Sequence, residues 1–274
     1  MLSVNTNTGA MTALQNLTKT GAEMTQVQNA INTGMKVATA KDDGATYAIA
    51  QNMRSNVAGY AAVTDSLNRG MSAVDVALSA GQSISDLLIQ MKQKALASAD
   101  VSLDTASRQA MNQDFVALRD QITTIVKNAV FNGFNLVDGS TNNIQALASA
   151  DGTRKVTCAA QKLTLSGSIV TVKTTSTIST QAKASTMVST IQATLANVNS
   201  ALAKLSSGSK KFSIQVAFTG KLTDTLSTGI GNLVDADMAK ESALLQSLQV
   251  KQQLGVQALS IANQAPQTIL SLFR

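Results

Sequence analysis

Apolar residues recur every three or four positions over most of this chain. Residues 10–31 place Ala10, Leu14, Leu17, Met24, Val27 and Ile31 on that spacing, the signature of one helix face. A polar, glycine-containing stretch from Asn32 to Gly44 interrupts the pattern. A longer seam follows through Val63, Leu67, Met71, Val74, Leu78, Ile84, Leu88, Met91 and Ala95, with a slip near Gly81 of the kind a stutter makes. Asp104 is placed to cap a third helix, in which Met111, Phe115, Leu118, Ile122, Ile125 and Ala129 alternate spacings of four and three until Asn132-Gly133.

Residues 135–180 change character. Gly, Asn, Ser and Thr become dense, and β-branched residues alternate with polar ones in Lys155-Val156-Thr157 and in Ile169-Val170-Thr171-Val172-Lys173. Asp138-Gly139 and Asp151-Gly152 read as turns between short strands. Helical spacing resumes at Met187, Ile191, Leu195, Val198 and Leu202 and breaks at Ser206-Ser207-Gly208. A last helix is predicted from about 212 to 273, with Leu245, Leu248, Gln252, Gly255, Leu259, Ala262, Ile269 and Phe273 along its far seam. The pattern therefore predicts a mainly α protein of long helices with a small β-rich insertion. A helix of about 40 residues spans about 60 Å, a length that suits a rod. The outermost helices have no partner except each other or neighbouring copies. Isolated helices are marginal in water, so both ends are expected to order only on assembly.

Composition agrees with long helices packed side by side. The chain is 44% hydrophobic but only 3% aromatic, with no Trp and one Pro, whereas globular cores usually bury large area through aromatic rings. Its 22 basic and 16 acidic residues give a formal charge of +6, scattered along the chain. Nucleic-acid binding would need a basic stripe with stacking platforms, so no nucleic-acid partner is expected. The start, Met1-Leu2-Ser3-Val4-Asn5-Thr6-Asn7, has neither the basic residues nor the apolar core of a secretory signal. No apolar run reaches the roughly 18–20 residues of a membrane span, so no membrane partner is expected either.

The chain has no histidine and one cysteine, Cys158, which removes most acid–base, metal and nucleophile schemes; no catalytic residue, cofactor or metal is expected. Asp42-Asp43 could suggest paired carboxylates, but adjacent residues do not face each other on a helix, and polar contacts are the better reading. Asp235-Ala236-Asp237 is read as a helix-surface feature. Gly229-Ile230-Gly231 imitates a dinucleotide fingerprint, yet Val234 stands where the third glycine belongs. Gln28, Gln252, Gly255 and Gln264 lie on or beside apolar seams, where polar residues select register at a cost in stability. Pro266, about two turns from the end, implies a modest bend. Cys158, in a threonine-rich strand, is expected to be an exposed thiol.

Three stretches resemble bacterial flagellins. The first runs from Asn32-Thr33-Gly34 through Ala40-Lys41-Asp42-Asp43 to Ala48-Ile49-Ala50 and looks like the spoke region of that family. The second is Phe131-Asn132-Gly133, similar to the turn where the amino-terminal rod leaves for the variable region. The third is Val234-Asp235-Ala236-Asp237 with Ala262-Asn263-Gln264-Ala265-Pro266-Gln267 and Leu270-Ser271-Leu272-Phe273-Arg274. The resemblance covers about residues 3–135 and 215–274 and is strongest to short flagellins of alphaproteobacteria such as Caulobacter.

The resemblance implies a division of the chain. Residues 1–33 and 235–274 would pair as a terminal coiled coil lining an inner tube, through Leu14, Leu17, Met24, Ile31, Leu245, Leu248, Leu259, Ala262, Ile269 and Leu272. Residues 34–138 and 180–234 would form a helical rod, with a spoke over 34–50 whose Asn32, Lys36, Lys41, Asp42, Asp43 and Tyr47 contact other subunits. Residues 139–179 would form a short variable region facing solvent, where surface hydroxyls are open to O-glycosylation.

In function, the resemblance implies a subunit that self-assembles into the flagellar filament, secreted unfolded and without cleavage through the flagellar export apparatus. Partners implied are other flagellin copies, hook-associated junction and cap proteins and an export chaperone. Gln90, Lys94 and Asp114 stand where many flagellins carry the Arg, Leu and Glu read by an innate immune Toll-like receptor, so recognition is expected to be weak. A hook–filament junction protein is the nearest alternative function. An enzyme is the more distant one, since the zinc peptidase some flagellins carry needs histidines that this chain lacks.

Overall fold

The computed structural model describes residues 6–141 and 143–271, with side chains up to Gln264. The expectations at Pro266, Ile269, Leu272 and Phe273 therefore lie outside the described side chains. Among the described residues, five helices and one hairpin follow in order: α1 (Thr8–Thr33), α2 (Gly44–Ser98), α3 (Thr105–Asn128), β1 (Asn143–Leu147), β2 (Lys155–Ala159), α4 (Gln181–Val234) and α5 (Met238–Ser271). The fold is mainly α with a small β insertion, as the periodicity predicts. The chain divides into two units, one of residues up to 55 and from 225 onward, the other of residues 56–224. The terminal unit is therefore larger than the 1–33 and 235–274 drawn from the resemblance, by about twenty residues at its first boundary and about ten at its second, and it groups residues 34–50 with the terminal helices.

In the terminal unit, Asn7 caps α1 by accepting from the Ala10 amide at 3.0 Å, and Gly34 closes it at φ 71°, a left-handed position that glycine occupies without strain. α1 packs along α5. Along the seam Ala10, Ala13, Leu17, Thr20, Met24, Val27 and Ile31, with Gly21 and Ala30 beside it, face Glu241, Leu245, Leu248, Gln252, Gly255, Leu259 and Ala262. Both sets alternate spacings of three and four, the heptad seam of a coiled coil. Gly255 lets the helices approach: a Cβ there would stand 3.3 Å from Leu17 Cδ1. Leu14 departs from the expected seam. It is 54% exposed, because counting back four from Leu17 reaches Ala13, and one further residue turns the side chain about 100° around the helix.

The single predicted helix over 212–273 is two helices. The chain leaves α4 at Val234, and Asp237 caps α5 by accepting from the amides of Ala239 and Lys240 at 3.0 and 3.2 Å. Asp235-Ala236-Asp237 is thus a link between helices rather than a helix-surface feature.

In the second unit, α2, α3 and α4 share one core containing Leu67, Ile84, Leu88, Met91, Phe115, Ile122, Ile191, Leu205 and Phe212. Asp104 caps α3 as expected, accepting from Ala106 and Ser107. The slip at Gly81 has a packing reason, since a Cβ there would lie 2.5 Å from Leu202 Cδ2 on α4. β1 and β2 form an antiparallel pair, with Ile144 opposite Cys158. Ile169–Lys173 alternates as a strand should, with Val170 and Val172 buried, but among the described residues it pairs with no strand. It closes on itself through Ser166 N–H to Val172 O and Gly167 N–H to Val170 O and packs into the helical core.

Three expectations for this region are corrected. Residues 139–179 do not simply face solvent: Ile144, Ala146, Leu163, Val170, Val172 and Ile178 belong to the core. Gly208 does not break a helix, since α4 runs through it without interruption. Cys158 is not exposed; it is buried, 3% accessible, on the inward face of β2. The last two share one cause. A Cβ at Gly208 would overlap the Cys158 sulfur and stand 3.0 Å from its Cβ, so the glycine is a notch in α4 that receives the thiol. Burial pushes the Cys158 thiol pKa up, opposed in part by the Lys211 ammonium.

Candidate subunit interface

The segment joining α1 to α2 is bound to the end of α4. Gly34 starts the turn, the Lys36 and Val37 amides both donate to Val234 O at 2.8 and 3.3 Å, and Ala236 N–H donates to Gly34 O at 2.9 Å. Met35 and Asp235 form an antiparallel bridge. Behind this backbone contact, Val37, Ala50 and Val234 make a small buried core flanked by Met35, Tyr47, Ile230 and Leu233.

The two aspartates fold their own segment. Asp42 Oδ2 accepts from the amides of Thr39 and Ala38 at 2.8 and 3.1 Å and from the Thr39 hydroxyl at 3.2 Å. Asp43 is the cap of α2, accepting from the Thr46 hydroxyl at 2.6 Å and the amides of Ala45 and Thr46 at 3.0 and 3.1 Å. Hydrogen bonds to the charged form hold both carboxyls below their ordinary range, led by the Thr39 amide for Asp42 and the Thr46 hydroxyl for Asp43. Lys36 reaches Asn232 O at 3.2 Å. Tyr47 lies against the small core. Asn32 and Lys41 are exposed. The structure therefore gathers Lys36, Asp42, Asp43 and Tyr47 into one folded segment and leaves Asn32 and Lys41 on its surface. Gly229 and Gly231 lie inside α4, where a Cβ would meet Met53 Cε at 2.9 Å and Asp235 Oδ2 at 2.7 Å; they are packing glycines, and no phosphate loop is formed.

The α1–α5 pair buries one seam and leaves much apolar surface outside it. Met11 and Leu14 are 56% and 54% exposed, Val250, Leu254 and Val256 are 54–57% exposed, and Ile261 is 69% exposed. A helix that is apolar beyond one stripe needs further burial, and exposed apolar surface on this scale marks association. Grooves in this unit are lined by Glu23, Lys36, Glu241 and Leu244 on one side and by Asn29, Lys41 and Asp42 on the other. Among the described residues there is no group of metal-ligating side chains and no helix long and apolar enough to cross a membrane.

On the second unit, Lys94 and Asp114 form an exposed ion pair at 2.6 Å, and Gln90 is exposed nearby along α2. Arg108 and Arg119 escaped the sequence reading. Both are buried. Arg108 donates to the carbonyls of Ser98, Asp100 and Leu103, closing the α2–α3 turn. Arg119 ties Ser176 O at 2.9 Å and pairs with Asp120. A signal did exist: a cation in the first turns of α3 opposes the helix dipole, so Arg108 had to serve some purpose beyond the helix.

A pair of long helices with apolar surface left outside their shared seam is the architecture of a self-associating structural protein. The family description "Bacterial flagellin N-terminal helical region" matches residues 4–142, and "Bacterial flagellin C-terminal helical region" matches residues 188–273. The chain is 54% identical over 272 residues to flagellin FljM of Caulobacter vibrioides, covering 99% of this chain and 98% of that one. Flagellin FljK of the same organism gives the same identity and coverage. A crystal structure of Bacillus cereus flagellin aligns with TM-score 0.41 and 18% identity, covering 65% of this chain and 93% of that one. The chain belongs to the bacterial flagellin family.

Proposed function

We propose that this chain is the structural subunit of a flagellar filament and works by polymerising with its own copies. The observation that carries this is the outward apolar surface of α1 and α5, from Met11 and Leu14 to Leu254 and Ile261, left over once the seam between the two helices is filled. Neighbouring copies would cover it, making an inner tube of the helices 1–33 and 235–274. The spoke residues Asn32 and Lys41, exposed beside a folded Asp42-Asp43 turn, would contact the next subunit, and the helical rod expected over 34–138 and 180–234 would pack against its own copies.

The test is elongation of purified subunit from short filament seeds. Continuous growth supports the reading; binding to filament ends without growth would instead identify a junction protein. Hydrogen exchange adds a second measure: amides of α1 and α5 unprotected in the monomer become protected in the polymer.

The same reading proposes secretion through the flagellar export apparatus with a chaperone, and junction and cap proteins as partners at the filament ends. Retention of the chain inside cells lacking that apparatus checks the first; co-purification with filament ends checks the second. Receptor recognition is expected to be weak because Lys94 is engaged with Asp114 and Gln90 offers no charge; strong receptor activation by monomer would refute this. O-glycosylation of exposed hydroxyls within 139–179 would add mass to native filaments, and an unmodified intact mass would exclude it.

A further inference from the structure

The unit of residues 56–224 carries two features of opposite character at separate places. Between α2, the Phe131–Phe134 turn and the hairpin lies a cleft of about 350 Å³. Phe131 and Phe134 give it an apolar wall, and Arg69 from α2 and Lys155 from β2 flank it. Phe134 is 48% exposed, and no ion pair among the described residues involves either cation. At the far end of α2, the turn into α3 has the complementary character. Val101 is 85% exposed and stands between Asp100 and Asp104. Those carboxylates are bonded to donors of their own turn, Ser102 for Asp100 and the Ala106 and Ser107 amides for Asp104. Hydrogen bonds from the Ser102 amide and hydroxyl hold the Asp100 pKa down, and those from the Ser107 hydroxyl and amide hold the Asp104 pKa down, so both stay ionised. Arg108, the nearest cation, has its guanidinium committed to the carbonyls of Ser98, Asp100 and Leu103.

We propose that the Asp100-Val101 turn of one copy seats in the Arg69–Phe134–Lys155 cleft of the next, joining copies head to tail. Val101 would lie on the phenyl rings while the acidic flanks meet the two cations. A single chain cannot make this contact with itself. Arg69 and the α2 terminus at Ser98 belong to one uninterrupted helix, and at about 1.5 Å per residue they are roughly 45 Å apart. A contact between two different patches is heterologous, and repeated without closure it generates an open array. The roughly 45 Å offset along α2 is then close to the translation between successive copies. Steering by opposite charge favours this register over ones that bring like charges together.

The inference rests on the filament reading, and seeded elongation separates the two. Filaments are grown from the Val101→Cys/Phe134→Cys variant and mildly oxidised, with the wild type as control for the buried Cys158. The expected result is a ladder of covalently linked copies on a denaturing gel, formed from filaments and not from dilute monomer, and lacking in either single variant. Independently, Arg69→Glu and Asp100→Lys should each slow elongation by about tenfold or more, with the double variant restored to within about twofold of wild type. Filaments that form without a ladder, or a double variant no better than the singles, overturn this contact and leave the filament reading standing. Failure of wild-type subunit to elongate overturns both.

Discussion

Replacing Gly208 by alanine tests whether the notch in α4 determines how β2 sits. On an ordinary helix the change is favourable by about 1 kcal/mol, since glycine is the poorer helix former. At Gly208 the added carbon would overlap the Cys158 sulfur and approach the Cys158 Cβ to 3.0 Å. The obstacle is the near end of a short, buried side chain on a paired strand, so rotation alone cannot clear it and the hairpin must move. Overpacking of this kind costs about 1–3 kcal/mol; with contact at both carbon and sulfur, the upper end applies. The net expectation is a loss of roughly 2 kcal/mol, or a fall of about 4–8 °C in the unfolding midpoint of a unit this size. Gly220 supplies the control. It lies in the same helix with nothing within 4 Å of a built Cβ, so Gly220→Ala should raise stability by about 1 kcal/mol. Thermal unfolding of the monomer followed by circular dichroism measures both. Cys158→Ala should recover most of the loss in the Gly208→Ala background, an interaction of about 2 kcal/mol in a double-mutant cycle. The reasoning is refuted if Gly208→Ala is as stable as Gly220→Ala, or if the two substitutions add independently.

Other consequences are equally measurable. The Cys158 thiol, buried and with its pKa raised by burial, should react with maleimide at least about a hundredfold more slowly in the native chain than in denaturant; equal rates would contradict the burial. Arg108→Met should destabilise the second unit by roughly 3 kcal/mol, because it strips donors from three carbonyls around the α2–α3 turn, and Arg108→Lys should recover only part, since an ammonium cannot reproduce the planar fork. The Asp43 carboxyl has a lower pKa folded than unfolded, so it stabilises the start of α2 above the unfolded value of 3.8, and that contribution disappears as pH falls through the folded value beneath it. Melting curves of wild type and Asp43→Asn, which keeps a capping oxygen, should therefore diverge above about pH 4 and converge in stronger acid.

Long-period features were legible in the sequence, and short-range packing decisions were not. The seam from Val63 to Ala95 and the helix capped by Asp104 could be read because many residues vote for one period. Leu14 was misplaced because hydrophobicity favoured it over Ala13, whereas the seam follows position and accepts a small residue there. Gly208 read as a helix breaker by composition, and its use depends on Cys158, fifty residues away in sequence, which only tertiary contact reveals. The 34–50 segment stood out by resemblance, yet the local tasks of Asp42 and Asp43 follow from hydrogen-bond geometry that Ala40-Lys41-Asp42-Asp43 does not declare. Arg108 and Arg119 show the same limit, since a buried guanidinium looks like any surface arginine until the carbonyls around it are placed.

The hairpin has a consequence for where this chain can tolerate extra length. Ala150, at its tip, presses on α2 where Gly59 leaves room. Leu147 N–H donates to the Ser66 hydroxyl, and Gln215 reaches Ala148 O. A turn that looks dispensable from its Asp151-Gly152 sequence is thus clamped by two helices, and residues inserted beside Ala150 would pry it off. The exposed Thr174-Thr175 pair, a turn outside the core, is the more permissive place for added sequence, whether acquired by descent or grafted to display a peptide.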